Sequence, residues 1–214
     1  FNIINNTIQA RSINVINIYA FANGSFEGRI NNNPVIESLT GGNGSGNGIN
    51  VTHDGNSTTN RIEIKNNMVT AINDNGIIVL SRLGSGRVDA TITGNTVSLT
   101  GGPSSFRAIQ ASAGASSDGG TNKLCAYIAN NITSILPGAA GHYQGRAAHC
   151  TGNSQPINEL ILQGGGTTVQ TNWDLNMNSP LSTAMGALIT QSGFGNFTFL
   201  PVGQTCAAPA NPMP

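Results

Sequence analysis

An isoleucine followed three residues later by an asparagine recurs five times along the chain, and this repeat limits the possible folds more than any other feature. The isoleucine column comprises Ile3, Ile30, Ile64, Ile92 and Ile128. The asparagine column comprises Asn6, Asn33, Asn67, Asn95 and Asn131. Successive asparagines are 27, 34, 28 and 36 residues apart, so the motif is strict while the connecting segments vary in length. Such a repeat is typical of a solenoid, in which each unit packs against its neighbours.

Two further sets of columns are apolar. The column two residues after the asparagines comprises Ile8, Val35, Val69, Val97 and Thr133. A second motif then follows in residues 48–51, 76–79, 108–111 and, more weakly, 147–150. Its two inward columns comprise Ile49, Ile77, Ile109 and Ala148, and then Val51, Val79, Ala111 and Cys150. Alternation with a period of two residues indicates a β-strand with one buried face.

These motifs predict units of strand, asparagine turn, strand, loop, strand and loop. One unit cannot bury its apolar face alone, but units stacked with parallel strands form a continuous core. Asparagine suits the bend because it tolerates the left-handed backbone conformation. Its side-chain amide can also bond to the same residue of the next unit, about 4.8 Å away. We therefore predict an isoleucine stack inside and an asparagine ladder at the bend.

The pattern Ile-x-Asn/Gly-Asn-x-Ile/Val followed by Gly-Ile-x-Val resembles the repeat of the right-handed parallel β-helix proteins. That group includes pectate lyases, phage tailspikes, and the surface adhesins and autotransporter passengers of bacteria. The resemblance covers roughly residues 1–174. It implies an all-β fold, a right-handed parallel β-helix solenoid of about five to six rungs. It implies a fold and not an activity.

The pattern weakens after Gln163, which predicts a separate C-terminal cap over residues 175–214. Residues 158–166 are a candidate sixth rung, with either Ile161 or Leu162 inward. A short amphipathic cap helix is predicted from a start at Ser179-Pro180, a stop at Gly193, and the helically spaced residues Leu181, Ala184, Met185 and Leu188. Residues 196–200 alternate like a strand, and residues 206–214 form a tail rich in proline and alanine.

Charged residues occupy the outward columns of the first motif. One column comprises Glu27, Arg61, Asp89 and Cys125, and the next comprises Asn2, Arg29, Glu63, Thr91 and Tyr127. In this register Arg61 lies between Glu27 and Asp89 on adjacent rungs, and Arg29 lies beside Glu63. Opposite charges across such a ladder help to fix the register, each pair contributing about 0.2–1 kcal/mol.

The cysteines fall on opposite faces of the predicted sheets. Cys150 aligns with inward residues, whereas Cys125 aligns with outward charged ones. These two are poorly placed to bond, because a disulfide needs Cβ atoms about 3.5–4.5 Å apart. We therefore predict a disulfide between Cys125 and Cys206 that fastens the tail to the outside of the fifth rung. A weaker alternative pairs Cys150 with Cys206.

Charge and composition exclude several classes of function. Nine Lys and Arg balance nine Asp and Glu, so the clustered positive charge of a nucleic-acid surface is missing. The longest aliphatic run, residues 77–80, is far shorter than the ~20 residues that span a bilayer, and no membrane span is predicted. Low charge, abundant Asn, Thr, Ser and Gly, and three cysteines suit an extracellular protein.

Enzymes on the fold that this chain resembles use clustered carboxylates, either to hold Ca²⁺ beside a base or as acid and base. No two of the nine acidic residues here lie within five positions of each other in sequence. The histidines, His53, His142 and His149, are scattered and are expected to be solvated. We predict no catalytic residue, no cofactor and no metal site, although stacking leaves open a site composed across rungs.

The first motif begins with Phe1 at an inward position, which predicts an open end of the solenoid. Open β edges recruit other chains. The leading hypothesis is an extracellular structural protein without catalysis, either displayed on a surface like an adhesin or self-associating into filaments through this open rung. In its sharper form, the strand that contains Phe197 and Phe199, or the terminal helix, packs on the Phe1 end of the next copy.

Two alternatives stay open. A polysaccharide-binding or polysaccharide-lyase-like module would have carbohydrate as its partner and would present outward aromatic rings on which sugars stack. The candidates Tyr19, Tyr127, Tyr143 and Trp173 form no obvious stripe. In the other alternative, the chain is an inactive fragment of a larger adhesin.

Overall fold

Alternating apolar and polar residues form eighteen strands in the described part of the chain. The structure is a computed structural model that describes residues 1–11, 14–39, 46–72, 74–100, 107–115, 120–134, 141–148, 158–165, 188–192 and 195–210. The strands are β1 (Asn2–Ile4), β2 (Thr7–Ala10), β3 (Asn14–Ala22), β4 (Glu27–Asn31), β5 (Val35–Ser38), β6 (Asn47–Gly55), β7 (Asn60–Lys65), β8 (Met68–Ile72), β9 (Ile77–Arg82), β10 (Arg87–Thr93), β11 (Thr96–Leu99), β12 (Arg107–Ala113), β13 (Lys123–Ala129), β14 (Ile132–Ser134), β15 (Gly141–Ala148), β16 (Glu159–Gln163), β17 (Leu188–Ser192) and β18 (Asn196–Leu200).

Three parallel sheets stack these strands into a solenoid. Sheet A has the order β1-β4-β7-β10-β13-β16-β18, sheet B has β2-β5-β8-β11-β14, and sheet C has β3-β6-β9-β12-β15-β17. A rung is one turn of the chain through the three sheets, numbered from the N-terminal end. The predicted all-β parallel β-helix solenoid is confirmed, and sheet A has seven strands, more than the predicted number of rungs.

The isoleucine stack is confirmed. In sheet A, Ile3 pairs with Ile30, Ile30 with Ile64, Ile64 with Ile92, and Ile92 with Ile128. The middle three are fully buried, and the outer two pack partly buried against the same core. Removing such a side chain from water contributes about 1.5–3 kcal/mol, so the stack is a main source of stability.

At the bend between sheets A and B, one position turns the backbone and the next position forms the ladder. The first position has a φ between 54° and 67° in all five turns and comprises Asn5, Asn32, Asn66, Gly94 and Asn130. The ladder asparagine is the next residue. The expectation that one column both bends the chain and forms the ladder is therefore wrong. The left-handed residue precedes the ladder residue, and only asparagine or glycine occupies it because these tolerate that conformation.

The asparagine ladder is confirmed and runs in one direction. Asn33 Nδ2 donates to Asn67 Oδ1 (2.8 Å), Asn67 Nδ2 to Asn95 Oδ1 (2.9 Å), and Asn95 Nδ2 to Asn131 Oδ1 (2.9 Å). The backbone N–H of each of the first four ladder residues donates to Oδ1 of the ladder asparagine on the next rung. The side chain also reaches back to the preceding rung, as in the 2.7 Å bond from Asn67 Nδ2 to Ile30 O.

A second ladder, not predicted from sequence, stands at the start of sheet C. Asn47 Nδ2 donates to Asn14 Oδ1 (2.7 Å), and Asn75 Nδ2 donates to Asn47 Oδ1 (3.1 Å). The backbone N–H of Arg107 continues it by donating to Asn75 Oδ1 (3.0 Å). Here the donor lies on the later rung, so this ladder runs opposite to the first. The two ladders together satisfy amides that burial would otherwise penalise.

Pro34 shifts the register of the second rung. Ile8 pairs with Ile36, which in turn pairs with Val69, so the prediction that Val35 occupies this column is wrong. In later rungs the residue after the ladder asparagine donates its N–H to the preceding rung, as Met68 does to Asn33 O (3.0 Å). Proline has no N–H to donate, and the strand therefore begins one residue later.

Sheet C differs from the prediction at its first and fifth rungs. β3 provides a first rung that the sequence motif did not include, and it pairs Ile16 with Ile49. In the fifth rung Tyr143 pairs with Ile109, so the placement of Ala148 in this column is wrong.

Ala148 pairs instead with Ser192 of β17. The buried Tyr143 phenol donates to Asn131 O (3.2 Å), which accounts for an aromatic ring with a polar tip in this column. Cys150 and His149 lie outside the described residues.

The C-terminal strands continue the solenoid. In β16, Leu160 and Leu162 join the main core, which decides between the two inward alternatives, and Ile161 faces outward. Leu188, predicted to be a position of the cap helix, lies in β17, where the open edge of β15 supplies backbone hydrogen-bond partners. The other predicted helix positions, Ser179, Pro180, Leu181, Ala184, Met185 and Gly193, and the domain boundary at residue 174 lie outside the described residues.

The predicted strand at residues 196–200 is β18, which pairs with β16 of the same chain. Its Phe197 and Phe199 are partly buried against the core of their own solenoid. β17 and β18 therefore form rungs, and the sheets continue past the predicted start of the cap.

Candidate functional site

The N-terminal end of the solenoid exposes core side chains. Its edge strands are β1, β2 and β3, which begin the three sheets. Ile8 and Ile18 on this rung are only partly buried, whereas their partners Ile36 and Val51 on the second rung are fully buried. We refer to β1, β2 and β3 as the N-terminal edge.

Phe1 partly covers this end, as its inward position predicted. Its ring lies over Gly28, where an added Cβ would come within 2.4 Å of the ring. In the rungs below, side chains such as Ile62 and Ala90 occupy the Gly28 column. The ring therefore fills a space that Gly28 leaves empty, yet 46% of Phe1 stays exposed.

On the N-terminal edge, alternate backbone N–H groups point away from the neighbouring strands of the second rung. Phe1 N donates to Glu27 O (2.9 Å) and Asn5 N donates to Asn31 O (3.2 Å). Successive residues of a strand point their N–H groups to opposite sides, so the N–H of Ile4 faces away from β4. On β2 the same alternation turns the N–H of Gln9 outward, because the neighbouring Ala10 carbonyl accepts from Leu39 N (2.9 Å).

The asparagine ladder also changes at this edge. Asn33 Nδ2 reaches back to Ile3 O of the preceding rung (3.0 Å), and the later ladder residues follow the same rule. Asn6 has no preceding rung within the described residues, and its Nδ2 donates to Ile4 O of its own rung (2.9 Å). The first ladder residue thus folds back onto a carbonyl of the N-terminal edge.

A disulfide joins the C-terminal tail to sheet A. The sulphurs of Cys125 and Cys206 lie 2.09 Å apart, which is the pairing predicted from sequence and excludes the alternative with Cys150. Both half-cystines are buried and pack with Ile161 and Leu200 on the outer face of sheet A. Cys125 is therefore outward, as its alignment with charged residues predicted.

The tail runs back across the outer face of sheet A. Cys206 N donates to Gln163 Oε1 on the sixth rung (2.7 Å), immediately beside the disulfide to the fifth rung. Farther along, Pro209 O accepts from Arg29 Nη2 on the second rung (3.0 Å). The tail therefore crosses the strands and contacts rungs that do not contact one another.

Asp89 provides a further contact for the tail. Its Oδ1 accepts from Ala207 N (3.2 Å) and from Arg87 Nη2 (2.8 Å). Asp89 does lie opposite Arg61 in register, but Arg87, two residues away on the same strand, supplies its ion pair. The Asp89 carboxylate lies within 4.8 Å of both disulfide sulphurs, a metal-like spacing. Bonded sulphurs are not thiolates, so this cluster is no metal site.

The two remaining predicted ion pairs are present. Arg61 Nη1 lies 3.0 Å from Glu27 Oε1, and Arg29 Nε lies 3.6 Å from Glu63 Oε1. Both join adjacent rungs of sheet A. Because such pairs are partly exposed, each contributes at most about 1 kcal/mol, and their main effect is on register.

An aromatic and charged network lies on the outer face of sheet C. Tyr19 Oη donates to Asp54 Oδ2 (2.5 Å), and Arg82 binds the same carboxylate through Nε (2.7 Å) and Nη2 (3.3 Å). Asp54 is a buried residue of β6. The hydrogen bond from Tyr19 to Asp54 raises the pKa of the phenol, so Tyr19 keeps its proton and stays a donor.

Two histidines are less exposed than predicted. His53 is fully buried, points inward in β6 and lies against Gly86, and among the described residues neither ring nitrogen has a hydrogen-bond partner of good geometry. His142 is partly buried, and its Nδ1 lies 2.8 Å from Thr133 Oγ1. Burial lowers the pKa of both; for His53 the Gly24 backbone and Asp54 oppose the shift without reversing it. Both rings are therefore neutral near pH 7.

These buried histidines predict acid sensitivity. The unfolded chain binds protons on histidine below about pH 6.5, whereas the folded rings resist protonation, so stability is lost as the pH falls through this value. The free energy of unfolding is expected to fall by at most about 1.4 kcal/mol per pH unit for each histidine. Urea unfolding at pH 7.5, 6.5 and 5.5 measures this slope. His53→Leu should flatten it, and a stability independent of pH over this range would contradict the prediction.

No known family, curated protein or solved structure matches this chain. Its function must therefore be argued from its own residues. Among the described residues, no helix is long and apolar enough to cross a membrane.

The sequence motif did not include β3, and the network on the outer face of sheet C was therefore not predicted. Tyr19 and Phe21 precede the second asparagine motif, and the period-two pattern around them, Ile16, Ile18 and Ala20, was the available signal. Tyr143 is buried and Trp173 lies outside the described residues. An outward aromatic pair therefore exists, but on the first rung.

Proposed function

We propose that this protein is an extracellular structural β-helix that self-associates end to end, with its N-terminal edge accepting the C-terminal end of another copy. No catalytic step is part of this role. The observation that carries the proposal is the loss of burial between the second rung and the first: Ile36 and Val51 are fully buried, whereas Ile8 and Ile18 are not. A further rung stacked on the N-terminal edge would bury these side chains.

The geometry of the two ends supports this pairing. Within the described residues, sheet A runs from β1 to β18, sheet B from β2 to β14 and sheet C from β3 to β17, and these last strands lie on the seventh, fifth and sixth rungs. A second copy placed above β1 in the same orientation would extend sheet A by parallel pairing of its β18 with β1. Such head-to-tail contacts do not close on themselves and give filaments. Parallel edges also offer the unpaired backbone groups that recruit a strand.

The disulfide and the composition support the proposed extracellular location. A disulfide across 81 residues of sequence is stable in an oxidising compartment. The neutral, asparagine-rich composition is compatible with a displayed or filamentous surface protein of the adhesin type.

A proline pair on the N-terminal edge tests the proposal. In the double variant Ile4→Pro/Gln9→Pro, two outward N–H groups are removed while the pairing of β1 with β4 and β2 with β5 is kept. The wild-type chain is expected to form linear oligomers that lengthen with concentration. The proline variant should need about tenfold higher concentration or more to do so. Light scattering after size exclusion and negative-stain microscopy measure both.

The matched control is Ile4→Thr/Gln9→Thr, which loses the same side chains, including the 2.6 Å bond from Gln9 Nε2 to Glu37 Oε2, but keeps both N–H groups. It should assemble like the wild type. Equal assembly by the proline and threonine variants would contradict the proposal. A wild-type chain that stays monomeric up to about 1 mM would also contradict it.

A further inference from the structure

We propose that the outer face of sheet C on the first three rungs binds a neutral glycan, with the rings of Tyr19 and Phe21 as the stacking platform. We call this the Tyr19 surface; it comprises Asn17, Tyr19, Phe21, Asp54 and Arg82. It does not rest on the proposed assembly: Asn17, Tyr19 and Phe21 belong to β3 of the N-terminal edge, but their side chains point to the outer face of sheet C, whereas the assembly would use the backbone groups and core side chains of that edge.

The strand geometry places the platform on one face. Asn17, Tyr19 and Phe21 alternate with the inward residues of β3 and so point outward together. Tyr19 is 52% exposed and Phe21 is 69% exposed, although both lie in a regular strand. Two residues along a strand span about 6.6 Å, so the rings are adjacent. Adjacent exposed rings on one face of a sheet offer a continuous apolar surface.

Hydrogen bonds fix the orientation of the Tyr19 ring. Its hydroxyl is held by Asp54, which is only 3% exposed and is itself held by the fork of Arg82. The three residues lie on three successive rungs of sheet C. A ring held in this way loses little side-chain entropy when a ligand stacks on it.

Unused donors flank the platform. Asn17 Oδ1 accepts from Asn14 Nδ2 (3.4 Å) and Asn50 Nδ2 (2.6 Å), while Asn17 Nδ2 has no partner among the described residues. At the other side, Arg82 binds Asp54 through Nε and Nη2 and also interacts with Tyr19, and the five N–H donors of a guanidinium exceed these contacts. An apolar platform with hydrogen-bond donors at its rim matches a ring that has an apolar face and hydroxyl groups at its edge.

The charges favour a neutral ligand. Arg82 is compensated by Asp54 at 2.7 Å, and no other charged residue lies in the Tyr19 surface. A charged ligand would find no unpaired opposite charge there. Pyranose sugars without carboxylate groups combine an apolar ring face with hydroxyls and no charge.

The backbone beside the platform is unusual. Ala22, directly after Phe21, has φ 56°, and Leu83, directly after Arg82, has φ 57°. Side chains other than glycine, asparagine and aspartate rarely adopt this conformation, and such positions concentrate at binding sites. Leu83 is also 54% exposed and adds apolar area at the same end of sheet C.

The test is titration of the folded, oxidised full chain with cellohexaose, mannohexaose and, as a charged comparison, hexagalacturonate. Isothermal calorimetry gives affinity, and nuclear magnetic resonance shifts of the Tyr19 ring give location. At least one neutral hexasaccharide is expected to bind with a Kd of about 1 mM or tighter and to shift the Tyr19 resonances. Phe21→Ala and Tyr19→Ala should each weaken binding about tenfold.

Two further variants sharpen the test. Tyr19→Phe keeps the ring but loses its bond to Asp54, and it should weaken binding less than Tyr19→Ala. Ile132→Ala removes a 58%-exposed apolar side chain from sheet B and should leave binding unchanged. Phe21 is largely exposed, so its removal should not affect folding.

Three results would overturn the proposal. They are the absence of binding by both neutral hexasaccharides at 10 times the expected Kd, binding that survives Tyr19→Ala/Phe21→Ala, and binding of hexagalacturonate alone. None of these bears on assembly, which the proline pair on the N-terminal edge tests separately.

Discussion

Replacing Asn67 by alanine is expected to lower the free energy of unfolding by about 3–5 kcal/mol. Asn67 stands in the middle of the ladder, and its Oδ1 accepts from the backbone N–H and Nδ2 of Asn33 (3.1 and 2.8 Å). Its Nδ2 donates to Ile30 O and to Asn95 Oδ1. Alanine would leave the buried N–H of Asn33 without a partner and a small cavity beside it. Urea unfolding followed by circular dichroism measures the loss.

The neighbouring residue provides the control. Asn66 is exposed, has φ 54°, and occupies the position that Gly94 takes one rung later. Asn66→Gly keeps a residue that tolerates this backbone, so it should change the free energy of unfolding by less than about 1 kcal/mol. Asn6→Ala, at the end of the ladder, should fall between the two. Similar losses for Asn66→Gly and Asn67→Ala would show that the ladder contributes no more than an ordinary turn.

Removing the disulfide is expected to cost about 4 kcal/mol. The bond closes a loop between residues 81 positions apart, and closing a loop of this length in the unfolded chain costs that much in the chain-entropy description. The double variant Cys125→Ala/Cys206→Ala should therefore unfold at lower urea concentration than the oxidised wild type. Hydrogen exchange should show faster exchange of the Ala207 amide, whose acceptor is Asp89.

A reductant separates the disulfide from the substituted side chains. Dithiothreitol should destabilise the wild type by a similar amount and leave the double variant unchanged. A wild-type protein equally stable with and without reductant would contradict the prediction. So would a reduced protein that keeps the Ala207 amide protected.

The stacked columns were predictable because each rung contacts only its neighbours. The side chain of Ile64 needs only Ile30 and Ile92 above and below it, so a short motif repeated in sequence specifies register directly. The same reasoning placed Cys125 on the outer face. Outward position, combined with a single remaining cysteine in the tail, was enough to predict the disulfide.

Other features depend on contacts that the repeated sequence columns do not specify. The shift at Pro34 follows from one missing N–H and changes only a single rung. His53 of β6 packs against Gly86, where any added side chain would collide with the imidazole ring. Tyr19 could be assigned to the surface only after β3 was recognised, and Asp54 became its partner through stacking. Such pairings depend on the course of the connecting loops, which the repeat motif does not specify.

The tail alters how the solenoid should come apart. A stack in which each turn meets only adjacent turns tends to fray from its ends, one layer after another. Here the C-terminal tail hydrogen-bonds to Arg29 on the second rung and to Gln163 on the sixth rung. The disulfide between Cys206 of the tail and Cys125 fastens it to the fifth rung. Peeling off the last layers would therefore also pull on the first ones. The fastened protein should melt as one cooperative unit, and the released protein should melt gradually.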